Sequence, residues 1–278
     1  FRNLGGKATL LKAVDKEMGT LTMKARMTDV SQAGGMIIQD FDLAVYNRGS
    51  LIYEGHTNFG FFTAQALSNQ VGIRESRFSE YELPEALCSS AESHEFAEEA
   101  PLTPDDRSSG ENSGMPGKAL RMIDRIDQIS LEGGIHGNGF IKAEKTVDPE
   151  EWFFDAHFYQ DPVCPGSLGL ESFLQMLRFF LVKKFNVRPD EYEACLPLNQ
   201  THEWIYRGQI IPSNKSIEIH AHIIDSTGDD DHLSVTADGA LVVDGICIYE
   251  MKDFTVGFDR ITAGSQAAES ALSSEQKK

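Results

Sequence analysis

The chain is short of what several functional classes require. Its 278 residues include only four cysteines. Cys88, Cys164, Cys195 and Cys247 are scattered without a CxxC pair, which argues against a disulfide framework or a structural zinc site and fits reduced thiols. Cations are scarce: 25 Lys and Arg stand against 43 Asp and Glu, a formal net charge of −18. A surface that tracks phosphates needs clustered Lys and Arg, so nucleic acid is excluded as a partner. An acidic protein partner would need a local basic patch, for which Lys183, Lys184 and Arg188 are the candidates, although cations at the end of a helix also complement its dipole. No apolar run approaches the roughly eighteen residues of a membrane span, and no signal-peptide pattern opens the sequence. A cytoplasmic protein is expected. No initiator Met precedes Phe1, so the sequence reads as a piece of something longer.

What is present is organised around Trp152 to Phe185. An apolar segment containing His157 leads into a Pro-punctuated turn, Asp161-Pro162-Val163-Cys164-Pro165-Gly166, and then into an unbroken helical stretch. From Leu168 to Val182 the apolar residues cover nearly the whole circumference, which a chain without membrane spans tolerates only where other structure encloses the helix. Glu171, Gln175 and Arg178 interrupt it at spacings that put them on one stripe. A carboxylate on such a helix needs a partner or a job.

Strand-like runs lie on both sides. Gly19 to Val30, Gly35 to Asn47 and Ser50 to Phe62 fall within residues 1–75; Gly133 to Val147, Trp204 to Ile211, Lys215 to Asp225, Leu233 to Val243 and Ile246 to Phe258 fall after residue 115. Ala119 to Ile129 fits helix and strand equally, and Asp148 to Glu151 reads as a short helical start. Leu43 to Phe62 resembles Leu241 to Phe258, with a shared Ile-Tyr-Glu core and a Gly-Phe close, so one hairpin occurs twice and two copies of one module are implied. Residues 76–114 are acidic, poor in apolar side chains and rich in Ser, Pro and Gly. They read as a mostly disordered linker. Residues 261–278 read as a linker or free tail.

The segment from His157 through Asp161, Pro162, Pro165, Gly166, Gly169 and Glu171 to Gln175 resembles, without a gap, the active-site segment of the β-hydroxydecanoyl-ACP dehydratase/isomerase family, most of all the dehydratase domains of polyunsaturated fatty acid synthases. The resemblance implies an α+β hot-dog fold, one long helix wrapped by an antiparallel sheet. The expected organisation is a partial, non-catalytic hot-dog over 1–75, a linker over 76–114 and a catalytic hot-dog over 115–260. On this reading the first copy has lost its helix upstream of Phe1.

The resemblance also implies the chemistry, loss of water from a 3-hydroxyacyl thioester on acyl carrier protein to give a trans-2-enoyl product. His157 would be the base at C2, since imidazole is partly neutral at physiological pH. Glu171 would be the acid at the C3 hydroxyl, which requires it to stay protonated, as an apolar helix environment favours. Backbone N–H groups of Gly166 and Ser167 would bind the thioester carbonyl; the Val163 carbonyl would hold the other His157 nitrogen, and Gln175 would support Glu171. No cofactor and no metal are called for. The family isomerase has Asp at the Glu171 position, which leaves isomerisation to a cis-3-enoyl product open. In the family's dimers His and acid come from neighbouring hot-dogs, so a dimer or pseudo-dimer is expected, alongside acyl carrier protein and other synthase domains as partners.

Other readings stand beside this one. A thioester hydrolase and a non-catalytic acyl-ACP binding or dimerisation module both fit a hot-dog scaffold. Cys164 could be a nucleophile, although a Cys so placed is more often a small hydrophobe. His220 and His222 share a strand face and could ligate a metal, yet no carboxylate or third His sits at ligand spacing, and a solvated strand face is the commoner meaning. His56 matches no catalytic position.

Overall fold

The computed structural model describes residues 1–33, 35–68, 70–96, 115–188 and 191–261. β1 (Arg2–Leu10), β2 (Leu21–Ala33), β3 (Met36–Asn47) and β4 (Ser50–Phe61) come first. β5 (Glu92–Glu95), β6 (Arg125–Ser130) and β7 (Phe140–Thr146) follow, and β8 (Tyr192–Cys195), β9 (Thr201–Tyr206), β10 (Ser216–Gly228), β11 (His232–Val243) and β12 (Ile246–Arg260) close the chain. They form a single 12-stranded antiparallel sheet in the order β2-β3-β4-β1-β9-β12-β11-β10-β7-β6-β5, with β8 on β12. The helices are α1 (Ala64–Ser68), α2 (Glu85–Cys88), α3 (Trp152–Ala156) and α4 (Gly166–Phe185).

α4 is the helix that the apolar pattern required, slightly longer at both ends. Pro165 precedes its first turn and Asn186, left-handed at φ 49°, ends it. Phe173, Met176, Leu177, Phe180 and Leu181 are fully buried against β7, β10, β11 and β12. Each such side chain contributes about 1.5–3 kcal/mol on leaving water. A long helix enclosed by a curved antiparallel sheet is the hot-dog fold. The ambiguous stretch before β6 divides: Lys118–Leu120 is a 3-10 turn and the strand begins at Arg125. Asp148 to Glu151 is not helical, and α3 starts at Trp152.

The sequence repeat is also a repeat of register. The offset that takes Arg48-Gly49, the left-handed turn of the β3–β4 hairpin, to Asp244-Gly245, the left-handed turn of β11–β12, carries two irregularities of the first module onto two of the second. The shift between Val45 and Tyr46 falls on that between Leu241 and Val242, and the shift between Met27 and Asp29 falls on that between Ile223 and Asp225. Bulges set where a strand twists and which face each residue takes, so coincident bulges mean equivalent faces. The modules join where β1 pairs β9, Gly5 opposite Ile205, Lys7 opposite Glu203 and Thr9 opposite Thr201. Under the same offset Lys7 maps onto Glu203, its own partner. A pseudo-two-fold axis therefore passes through that pair.

The expectation of a disordered linker from residue 76 fails for residues 76–96. β5 pairs β6, Phe78 and Leu83 are buried, and the segment lies across the face of β10 and β11 that points away from α4. Its few apolar residues suffice because its polar groups are satisfied on the sheet: Ser76 donates to Glu250, the Gly134 N–H donates to Tyr81, and His222 Nε2 donates to the Phe78 carbonyl at 2.9 Å. Residues 97–114 and 262–278, including most of the expected tail, lie outside the described residues. The solvated-face reading of His220 and His222 fails for the same reason, since this strap covers both. His220 has no hydrogen bond at either ring nitrogen, with Glu218 lying 3.7 Å from Nε2. Among the described residues no group of three or more His, Cys, Asp or Glu could hold a metal ion. No described helix is long and apolar enough to cross a membrane.

Burial pushes His222 down to about 4 and lowers His220 as well. Because the folded value lies below the unfolded one, the unfolded chain binds more protons between about pH 6.5 and 4, and stability is lost as pH falls through that window. Urea denaturation across it is expected to show about 3 kcal/mol of this loss from His222. A His222→Gln variant should have a flatter profile, and an unchanged slope would contradict the burial argument.

Candidate active site

His157 caps the C-terminus of α3, its N–H donating to the Phe153 carbonyl at 2.9 Å. The chain then reverses through Asp161 and returns so that the Val163 N–H donates to the His157 carbonyl at 2.8 Å, while His157 Nδ1 lies 2.9 Å from the Val163 carbonyl. A carbonyl can only accept, so Nδ1 carries the proton and the neutral ring presents its lone pair on Nε2. Arg2 holds the reversal from the other module by a two-pronged ion pair with Asp161, 2.8 Å on each arm. That hydrogen bond holds the Asp161 carboxyl below the usual carboxylate range.

His157 faces a cavity of about 120 Å³ with Gly166 on its wall. Phe1, Asn3 and Phe59 of the first module close one side, and Tyr206 and Tyr249 of the second close the other. The first-turn N–H groups of α4, including those of Gly166 and Ser167, have no partner within the helix. Gly166 and Gly169 are required by packing: a Cβ at Gly166 would lie 2.7 Å from the Tyr206 ring, and one at Gly169 would lie 2.3 Å from Tyr249. The two tyrosine rings pack against each other at 4.2 Å, tilted by 38°, and Tyr206 donates to the Gly166 carbonyl at 3.1 Å. Burial raises both phenols. A second cavity of about 230 Å³ adjoins the first, sharing Arg2, Asn3, Tyr206, Gly208 and Gln209, and its lining includes Leu4, Phe62, Leu67 and Val71.

Glu171 is not among the residues lining the His157 cavity. It stands five residues beyond Gly166, about 140° further round the helix. There it accepts hydrogen bonds from Gln175 and Arg178, each at 3.0 Å, and its side chain is 29% exposed. The apolar enclosure expected for it is replaced by an ion pair. Gln175 is fully buried and satisfied: its Oε1 accepts from the Met122 N–H and its Nε2 donates to the Leu120 carbonyl and to Glu171. Burial, with Glu151 adding to it, pushes the Cys164 thiol up to about 12, so it is protonated and inert as a nucleophile. His56 pairs with Asp42 and Asp40 on the first module, away from this cavity. Lys183 ties the end of α4 to Glu92 of β5 at 2.8 Å. Sequence reasoning missed Arg2, Asn3 and Phe59, whose local sequence carries no catalytic signal.

Residues 115–252 match a protein family described as the FabA-like domain. This stretch is a FabA-like domain. Over 288 aligned residues the chain is 31% identical to one of the subunits of a polyunsaturated fatty acid synthase from Thraustochytrium sp. (strain ATCC 26185 / S-3), covering 99% of this chain and 19% of that protein. The chain therefore spans about a fifth of that relative's length. Among solved structures it is similar to a putative MaoC domain protein dehydratase from Chloroflexus aurantiacus J-10-fl (10% identity, TM-score 0.48, 94% of this chain and 76% of that one). It is also similar to the acyl-CoA thioesterase II TesB2 from Mycobacterium marinum (11%, TM-score 0.44, 95% and 82%).

Replacing Gln175 by Ala would strip partners from the buried Met122 N–H and Leu120 carbonyl, at about 1–3 kcal/mol for each group left unsatisfied. Chemical denaturation of Gln175→Ala should show a loss of at least about 2 kcal/mol, and a variant as stable as the parent would remove the amide's role in fixing α4.

Proposed function

We propose that the FabA-like domain removes water from 3-hydroxyacyl thioesters carried on acyl carrier protein. The observation that carries this reading is His157, whose Nδ1 is fixed on the Val163 carbonyl so that Nε2 is free as a base beside the N-terminus of α4. Nε2 takes the C2 proton, and charge developing on the thioester oxygen is met by the Gly166 and Ser167 N–H groups and the helix dipole. The C2–H electron pair becomes the C2–C3 double bond. The C3–O bond breaks, and the departing hydroxyl leaves as water with a proton from a carboxylic acid. Beyond C3 the acyl chain has room in the adjoining apolar cavity.

The donor of that proton lies across the module boundary. Glu171 points about 140° away from the cavity wall and pairs with Arg178, which lines a separate cavity together with Leu10, Ala13 and Val14 of the first module. The module offset takes Leu10–Val14 onto Tyr206–Ile210, part of which lines the His157 cavity. By that symmetry a carboxylate opposite His157 belongs to the first module's counterpart of α4, and Glu171 faces the mirrored half-site. This supports the pseudo-dimer over an assembly in which one module supplies both groups.

The test is turnover of a 3-hydroxyacyl thioester by a polypeptide containing both modules with their helices, following enoyl product and free thiol. His157→Ala should lower enoyl formation by about 10²–10⁴-fold, the usual contribution of a general base. Glu171→Gln should cost far less. Equal loss in the two variants would restore Glu171 as the acid opposite His157, and free thiol without enoyl product would replace dehydration by hydrolysis. A cis-3-enoyl component would add isomerisation to the activity.

A further inference from the structure

Successive residues of a strand point to opposite faces, and in Ile248-Tyr249-Glu250 it is Tyr249 that lies against α4, its ring packed on Gly169. Glu250 points the other way and accepts from Ser76 of the strap. Tyr249 is 2% exposed and lines the His157 cavity, yet its hydroxyl donates a hydrogen bond to no described residue. Tyr206, Cys164 and Arg2 all act electrostatically on this phenol, and all three line the same cavity, so the hydroxyl sits at its wall. Those neighbours are committed elsewhere. Tyr206 donates to the Gly166 carbonyl, the Cys164 thiol to the Pro165 carbonyl, and Arg2, which has only donors, to Phe1, Asp161 and Gln209. A buried hydroxyl without an acceptor disfavours folding. Its acceptor is expected inside the cavity.

We propose that Tyr249 is a further catalytic residue, its O–H donating to the thioester oxygen of a substrate seated against His157 and joining the Gly166 and Ser167 N–H groups as a third donor. The proposal rests on the dehydratase reading of the site and adds to it a residue outside the loop and helix that carry the rest. The role follows from what this phenol can and cannot give. Burial raises it well above its ordinary value, so it keeps its proton throughout. A group that holds its proton cannot protonate the departing C3 hydroxyl, whereas charge developing on the thioester oxygen asks only for a hydrogen bond from a donor already in place. The ring is held in place, with Gly169 on one side and Tyr206 at 4.2 Å on another. No bond to Tyr249 forms or breaks: the C2 proton still goes to His157, and the C3 oxygen still leaves as water.

Tyr249→Phe keeps the ring and removes only the donor. In the polypeptide containing both modules with their helices it should lower kcat for enoyl formation by about 10²-fold. The thermal midpoint should stay unchanged or rise, because no hydrogen bond within the protein is lost. A kcat within about twofold of the parent overturns the proposal, as does a midpoint lower by more than about 4 °C, which would reveal a partner for the hydroxyl within the fold. A second arm needs no turnover. Calorimetry compares the binding of two amides in which NH replaces the thioester sulfur, one with the C3 hydroxyl and one without it. Tyr249→Phe should weaken both by the same factor, about 2–10-fold, as loss of one neutral hydrogen bond does. Equal affinity in parent and variant, or a parent that binds neither amide, overturns the contact, and a loss confined to the hydroxylated amide overturns its assignment to the thioester oxygen. If the parent forms no enoyl product the dehydratase reading fails, and the amide arm still decides whether Tyr249 binds the acyl carbonyl.

Discussion

The constraint on which the structure depends is that α4 is apolar on nearly every side. A helix with one apolar stripe can lie on a surface, whereas one with buried residues from Gly169 to Leu181 around its axis has to be wrapped. The long curved strands supply the wrap, and the site follows from it. The wrap leaves the first turn of α4 as the place where the helix emerges, next to the boundary between modules. His157 arrives there because its loop is tied at both ends, through Val163 to itself and through Asp161 to Arg2. The Tyr206–Tyr249 pair, packed against Gly166 and Gly169, then fixes the depth at which that turn sits.

The seam matters as much as the helix. β1 and β9 make the two modules one sheet, reinforced by side chains that cross it: Trp204 donates to Asn3, Arg207 to the Leu4 carbonyl, and Thr9 and Thr201 share a hydrogen bond. Asn3 also donates to Thr57, which in turn donates to the Gly5 carbonyl. One member of that network, Asn3, also lines the His157 cavity. The candidate site and the seam between the modules therefore share that residue.

Much of this was legible in the sequence, for reasons that can be named. The helix was legible because its apolar residues have no polar face to set against them, and the hairpin repeat because Ile-Tyr-Glu recurs at the same place relative to a turn. The segment from His157 to Gln175 was legible because it resembles, without a gap, the loop-and-helix segment of a known family. Three things were hidden. Residues 76–96 look like linker because so few of their side chains are apolar, yet Phe78, Leu83 and a set of hydrogen bonds suffice to fix them on a preformed sheet. The contribution of Arg2 and Asn3 comes from a distant strand and leaves no local pattern. The environment of Glu171 depends on which way Arg178 reaches, which spacing allows but does not decide.

The outer faces of the two modules carry the comparison one step further. Under the offset Lys24 corresponds to His220, Arg26 to His222 and Asp42 to Asp238. On the open face the basic residues stand exposed, and Arg26 pairs with Asp42 at 2.6 Å. On the covered face the equivalent positions lie under the strap, where a permanent cation would have to be desolvated at a cost of several kcal/mol. Imidazole avoids that cost because it can sit there neutral, and His222 uses both ring nitrogens, donating to the Phe78 carbonyl and accepting the Ile135 N–H. Asp238 keeps His136 as its partner in place of an arginine, and it also takes the Asp253 N–H. One pattern of strand positions is therefore filled in two ways, by Lys and Arg where the face is open and by His where residues 76–96 cover it. That substitution explains why a segment with so little apolar content can lie on the sheet at all.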